Sequence, residues 1–200
     1  MTSVGIFDYG AGNLHSLVKA ISTDDRHIFV ERDIRDAMRA DVLVLPGVGA
    51  FGAAVTAMRG AQRELNLALA DGLPCLGICL GMQLLFDASE EAAGKGLGLI
   101  PGKVRRLRTP KVPHMGWNDI EWCETANGQG TTLATAYFAN AYICEPEDDS
   151  SIAWTTHQDA KFPSVVRSAN AIGVQFHPEK SSSAGRGFVN AVIEDLIQCR

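Results

Sequence analysis

Apolar residues in the first part of the chain come in short unbroken runs. Val4-Gly5-Ile6-Phe7-Asp8-Tyr9, His27-Ile28-Phe29-Val30, Val42-Leu43-Val44-Leu45 and Cys75-Leu76-Gly77-Ile78 are such runs. Between them the apolar positions recur with helical spacing, over residues 14–22, 51–59, 62–71 and 81–86. Short continuous runs between helices predict strands of a parallel sheet covered on both faces. Beyond residue 100 the pattern changes. Strands are predicted over residues 104–107, 120–123, 135–143, 152–156, 165–168 and 172–176, separated by turns rich in Gly, Asn and Asp. These suit antiparallel strands added to the parallel core. A closing helix is predicted over residues 184–197, with Ser182 or Ser183 able to cap it. No repeat, low-complexity tract or linker interrupts the chain. The expectation is one α/β domain over residues 1–200 with a mixed sheet.

Composition narrows the function classes. The formal net charge is −5, which disfavours a nucleic-acid partner, because phosphate binding needs a basic face. The densest basic run, Lys103-Val104-Arg105-Arg106-Leu107-Arg108, alternates with apolar residues and reads as the solvent face of a strand. No stretch approaches the ~18–20 apolar residues of a membrane span. The first nine residues carry a strand pattern rather than a targeting signal, so a cytoplasmic location is expected. The five cysteines, Cys75, Cys79, Cys123, Cys144 and Cys199, are irregularly spaced. They make neither a disulfide framework nor a zinc site, since no second Cys or His pair completes the Cys75 and Cys79 pair.

Chemistry concentrates at Gly77-Ile78-Cys79-Leu80-Gly81, between an apolar strand and an apolar helix. A G-x-nucleophile-x-G turn at that junction makes a nucleophile elbow. Its flanking glycines let strand and helix approach closely. The thiol then projects at a helix amino terminus, where an anionic sulfur is favoured. Cys75 lies inside the strand and reads as a small core residue. A cysteine nucleophile needs a base. Among the histidines, His177 stands at a strand end in Gln175-Phe176-His177-Pro178-Glu179, with a carboxylate two residues on. Singly, Cys79 reads as a buried thiol in a tight turn, His177 as a strand-end residue and Glu179 as a turn acid. Together they favour a Cys-His-Glu triad. His15 and His27 have no acid partner that can be placed, and His157 reads as a loop residue. The amide of Leu80 and those of Gly47 and Val48, in Pro46-Gly47-Val48-Gly49-Ala50-Phe51, are candidates for an oxyanion hole. The glycines there also permit a peptide flip. Asp8-Tyr9-Gly10-Ala11-Gly12-Asn13 is not read as a dinucleotide loop, because His15 stands where a third glycine is needed.

These segments resemble the triad-type (class I) glutamine amidotransferases. Within them the match is to the glutaminase subunits of imidazole glycerol phosphate synthase. The resemblance rests on Asp8 to Leu14, Pro46 to Phe51, Gly77-Ile78-Cys79-Leu80-Gly81-Met82-Gln83, Val112-Pro113-His114-Met115-Gly116-Trp117-Asn118 and Gln175 to Ser181. It implies a flavodoxin-like three-layer sandwich whose parallel core sheet is extended by antiparallel strands. It also implies a glutamyl thioester on Cys79, with His177 as base and acid and Glu179 orienting it. Gly49, Gln83, Ala141 and Tyr142 would hold L-glutamine. Asn13, Pro113, Met115, Trp117, Tyr137, Asn140 and Lys180 would lie at or near the interface with a (β/α)₈ cyclase subunit, which receives the ammonia. No metal or organic cofactor is implied. The chain departs from the family at Asn140 and Ala141, where His and Ser are usual, and at Thr155-Thr156-His157-Gln158-Asp159, where a Thr-Tyr-Gly segment is usual. The departures leave room for an amidotransferase serving another synthase. A non-catalytic docking paralogue and a stand-alone cysteine hydrolase are the remaining alternatives.

Overall fold

The computed structural model describes residues 1–10, 14–124 and 132–198. The chain alternates β1 (Thr2–Phe7), α1 (His15–Ile21), β2 (Arg26–Glu31), α2 (Ile34–Ala37) and β3 (Val42–Leu45). It continues through α3 (Phe51–Met58), α4 (Gln62–Ala70), β4 (Cys75–Ile78) and α5 (Leu80–Leu84). Strands then dominate: β5 (Phe86–Ser89), β6 (Ala92–Lys95), β7 (Ile100–Arg106), β8 (His114–Asp119), β9 (Glu121–Trp122), β10 (Thr135–Asn140) and β11 (Tyr142–Pro146). Three more follow, β12 (Ser151–His157), β13 (Ala160–Ser168) and β14 (Ala171–Val174). A 3₁₀ turn at Pro178–Lys180 and helix α6 (Ser182–Gln198) close the chain.

The main sheet runs β2-β1-β3-β4-β14-β13-β12-β9. Its first five strands pair in parallel and the last three add antiparallel. β3 shows why this makes three layers. All four of its residues are buried. Val42 and Val44 join the core formed with α1 and α6, whereas Leu43 and Leu45 join the core formed with α2, α3, α4 and α5. A strand that is apolar at every position needs a cover on each face.

The second half departs from the expected single mixed sheet. The run predicted as one strand over residues 135–143 is two. β10 pairs with β8 in a two-stranded sheet, and β11 pairs with β7 in a four-stranded sheet with β5 and β6. Ala141 is the corner between them, its carbonyl accepting from Leu107 N–H at 2.9 Å. The helix predicted to reach residue 86 stops at Leu84, and Phe86 begins β5. β14 ends at Val174, two residues before the predicted end. α6 begins at Ser182, whose hydroxyl accepts from Ala184 N–H at 3.3 Å. Phe138 anchors the small sheet, contacting Phe162 and Phe176 edge-on and stacking on His114 at 4.7 Å. The basic run falls mostly on β7, with Val104 and Leu107 buried and the basic side chains toward solvent or half-buried.

Candidate active site

β4 ends at Ile78 and α5 begins at Leu80, so Cys79 alone turns the chain. It does so at φ 47° and ψ −101°, a left-handed conformation that costs energy for any residue with a Cβ. The close approach of strand and helix requires the two flanking glycines. A Cβ on Gly77 would lie 2.6 Å from the carbonyl carbon of Gly81, and one on Gly81 would lie 1.9 Å from the Leu45 carbonyl oxygen. Cys79 N–H donates to the Val174 carbonyl at 2.6 Å, which ties the turn to the end of β14.

Past β14 the chain bends and delivers His177. Its backbone is clamped against β10. His177 N–H donates to Tyr137 O at 2.8 Å, Tyr137 N–H donates to Ser181 Oγ at 2.9 Å, and Ser181 Oγ donates to His177 O at 2.7 Å. The imidazole Nδ1 lies 2.7 Å from Glu179 Oε1, with both side chains more than nine-tenths buried. Assigning the proton to Nδ1 leaves Nε2 for Cys79. Burial by itself would depress the imidazolium. Hydrogen bonds to Cys79 and Glu179, and their charges, outweigh it and hold His177 up at about 9. Cys79 from the elbow and His177 and Glu179 from the 175–179 segment are thus brought together.

A cavity of about 170 Å³ opens beside Cys79. Gly47, Gly49, Leu80, Gln83, Ala141 and Tyr142, all expected near substrate or oxyanion, line it. Gln83 is buried and donates to the Tyr142 carbonyl at 3.4 Å. Gly49 has φ 111°, a conformation reserved for glycine. Val48 lies elsewhere. It lines a second cavity of about 160 Å³, shared with Gly47, Glu179 and Lys180. Tyr9 is buried behind this loop and its hydroxyl donates to the Pro46 carbonyl. Burial, then the nearby Cys79 and Asp8, push its phenol well above the ordinary range.

Glu91 was not expected here. It lines the Cys79 cavity and its Oε1 accepts from Phe51 N–H at 3.2 Å. In sequence it is one acid of a turn pair, with nothing to separate it from a solvated charge.

The expected interface residues divide. Met115 and Trp117 are more than half exposed on β8, and Tyr137 packs edge-on against Trp117 at 6.4 Å. Pro113 and Lys180 are exposed. Asn140 is not on that face. It is 4% exposed, lines the Cys79 cavity and donates to the Tyr142 carbonyl at 3.0 Å. Its register partner is His114, whose strand turns polar side chains inward and apolar ones outward. Asn13 lies outside the described residues. His157 is not in a loop but ends β12, stacked on His114 at 4.2 Å. Cys75 is fully buried, and burial pushes its thiol up to about 12, as suits a core residue. Among the described residues, no group of three or more His, Cys, Asp or Glu side chains could hold a metal ion, and no helix is long and apolar enough to cross a membrane.

A cysteine on a strained elbow at the carboxyl edge of a 2-1-3-4 parallel sheet, facing an imidazole held by a carboxylate, is laid out for nucleophilic acyl transfer, and the chain belongs to the class I glutamine amidotransferases. Residues 6–193 match the family described as glutamine amidotransferase class-I. The chain is similar, with TM-scores of 0.75 and 0.74 and sequence identities of 18% and 17%, to the solved structures "Crystal structure of glutamine amidotransferase" and "Structure of PurLQS from Thermotoga maritima". Each alignment covers 98% of this chain, with 98% and 100% of the other chains, and shows the shared fold. Within the family the chain groups with the proteins named imidazole glycerol phosphate synthase subunit HisH. It is 42% identical to that of Gloeothece citriformis, covering 96% of this chain and 97% of the relative. It is 39% identical to that of Lactococcus lactis, covering 98% and 100%. To that of Methanocaldococcus jannaschii it is 38% identical, covering 96% and 100%.

Proposed function

We propose that this chain is the glutaminase subunit of an imidazole glycerol phosphate synthase, a single cytoplasmic domain that feeds ammonia to a (β/α)₈ cyclase subunit in histidine biosynthesis. The observation that carries the chemistry is the His177–Glu179 pair, 2.7 Å apart, buried beside Cys79 at the mouth of a cavity. Near-full-length similarity to the HisH proteins supports the choice of pathway and partner.

The reaction follows from the arrangement. With the Cys79 proton already held on His177 Nε2, the sulfur attacks the side-chain amide carbon of glutamine. Negative charge on the amide oxygen is met by the Leu80 amide, which opens α5, by the Gly47 amide and, once a peptide flip in the glycine loop turns it toward Cys79, by the Val48 amide. His177 passes the proton to the amide nitrogen, the C–N bond breaks and ammonia leaves. Water, deprotonated by the same imidazole, hydrolyses the glutamyl thioester to glutamate. Glu179 holds the ring in the tautomer both steps need. Glu91 supplies a carboxylate for the substrate ammonium, and Gln83 and the Ala141–Tyr142 corner supply hydrogen-bonding groups. Exposed Met115 and Trp117, with half-buried Tyr137 beside them, form an aromatic and apolar face suited to docking the partner.

A glutamine analogue bearing a reactive diazoketone at the amide position tests this reading. Mass spectrometry is expected to find one adduct, on Cys79. Modification elsewhere, or none in the presence of the cyclase subunit, would overturn it.

A further inference from the structure

Gln175 is fully buried, yet its carbonyl oxygen Oε1 has no hydrogen-bond partner among the described residues. Burying an amide without satisfying it is costly, so such a side chain needs a reason to be there. The contact it does make is with the reacting atom: Nε2 lies 3.5 Å from Cys79 Sγ. The register explains the meeting. β14 pairs in parallel with β4, Val174 opposite Ile78, so Gln175 and Cys79 are the next residues along each strand. Gln175 N–H donates to the Ser164 carbonyl at 2.9 Å, fixing the backbone from which the amide reaches the sulfur. Gln175 and His177 both contact Cys79, one as a neutral donor and the other as the proton carrier.

We propose that the Gln175 side-chain amide donates to the Cys79 sulfur and stabilises it as the leaving thiolate when the acyl-enzyme is hydrolysed. The inference rests on the glutaminase reading for its natural acyl group. A thioester sulfur is a poor acceptor and a thiolate a good one, so the hydrogen bond strengthens as the C–S bond breaks. In that step water adds to the acyl carbon, its proton goes to His177, the C–S bond breaks and the electron pair stays on sulfur. A neutral donor suits this role, because it does not compete with His177 for protons.

The test uses the full chain with its cyclase partner. Gln175→Met keeps the length of the side chain and removes the N–H, and Gln175→Asn keeps the N–H but withdraws it by one methylene. Both are expected to lower kcat for glutamine by ~10–100-fold, the worth of one hydrogen bond to a charged atom. KM should stay level or fall, and the glutamyl thioester on Cys79 should accumulate in the steady state, visible by intact mass. A merely structural role would lower kcat together with urea stability and leave Cys79 free. Hydrolysis of acetyl-Cys79, formed with p-nitrophenyl acetate, provides a readout independent of glutamine. If the wild type does not turn over glutamine but its deacetylation is slowed in both variants, the glutaminase reading fails and this one stands. Deacylation at the wild-type rate in either folded variant overturns it.

Discussion

Gly47 lies directly against His177: a methyl group on its Cα would come within 2.9 Å of the imidazole Cε1 and 3.0 Å of the Cys79 Cβ. Glycine at this position is therefore what lets the loop touch both His177 and Cys79. Gly47→Ala should push the imidazole and thiol apart, lowering kcat by about a hundredfold, the scale of a 1 Å misplacement. Gly81→Ala should behave differently. Its Cβ would meet a backbone oxygen at 1.9 Å, which cannot rotate away, so a loss of about 3 kcal/mol or more of stability is expected. Urea unfolding beside glutaminase kinetics separates the two effects.

Glu179→Gln keeps the shape of the group that accepts the hydrogen bond from His177 Nδ1 but can present its amide N–H to the ring. The wrong tautomer then faces Cys79. A drop in kcat of ~10³–10⁴ is expected, with glutamine binding little changed. Isothermal titration in a Cys79→Ala background measures the binding, and a fall in affinity as large as the fall in kcat would count against the assignment.

Two histidines predict opposite pH slopes in stability. Burial, then the neighbouring His157, lowers His114 to about 4, with only partial compensation from Asn140. An unfolded histidine takes its proton near pH ~6.5. Between those values the unfolded chain binds the extra proton, so stability should fall as pH drops from about 6.5 to 4. His114→Phe should flatten that slope. His177 is held up at about 9, so the stability it contributes is full below about pH 6.5 and is lost as pH rises through 9. Cys79→Ala should flatten that second slope. Urea midpoints across pH for the three proteins check both.

Trp117 and Met115 stand more than half exposed on β8 although both are large and apolar. If they anchor the cyclase, Trp117→Ala should weaken the complex by about 2 kcal/mol or more, roughly thirtyfold in Kd. The glutaminase activity of the isolated chain should stay unchanged, since neither residue lines the Cys79 cavity. Analytical ultracentrifugation with the cyclase reads the first, and glutamate release the second.

The strands and the turn that carry Cys79 were legible because each has a rigid local signature. The short apolar runs of β1, β3 and β4, too brief for helices and rich in Val and Ile, read as buried strands, and glycines two residues either side of Cys79 mark a turn that few other contexts demand. β8 escaped detection for the opposite reason. His114 and Asn118 turn inward while Met115 and Trp117 face out, so its polarity is inverted and does not mark a core strand. The break at Ala141 was invisible because the residues on both sides are equally good strand formers, and only the competing partners, β8 and β7, divide them. Asn140 was placed on the wrong face for the same reason. Glu91 and Gln175 enter the site through long-range pairing, of β5 with β7 and of β14 with β4, which no local pattern announces.

Cys79 is proposed to hydrolyse glutamine on behalf of a cyclase. The direct measurement is glutamate release by the full chain with and without the histidine-pathway cyclase subunit and its nucleotide ligand, with Cys79→Ala as control. Strong stimulation by the liganded partner, abolished in Cys79→Ala, is the predicted result. Full-rate hydrolysis without the partner, or hydrolysis that persists in Cys79→Ala, would contradict it.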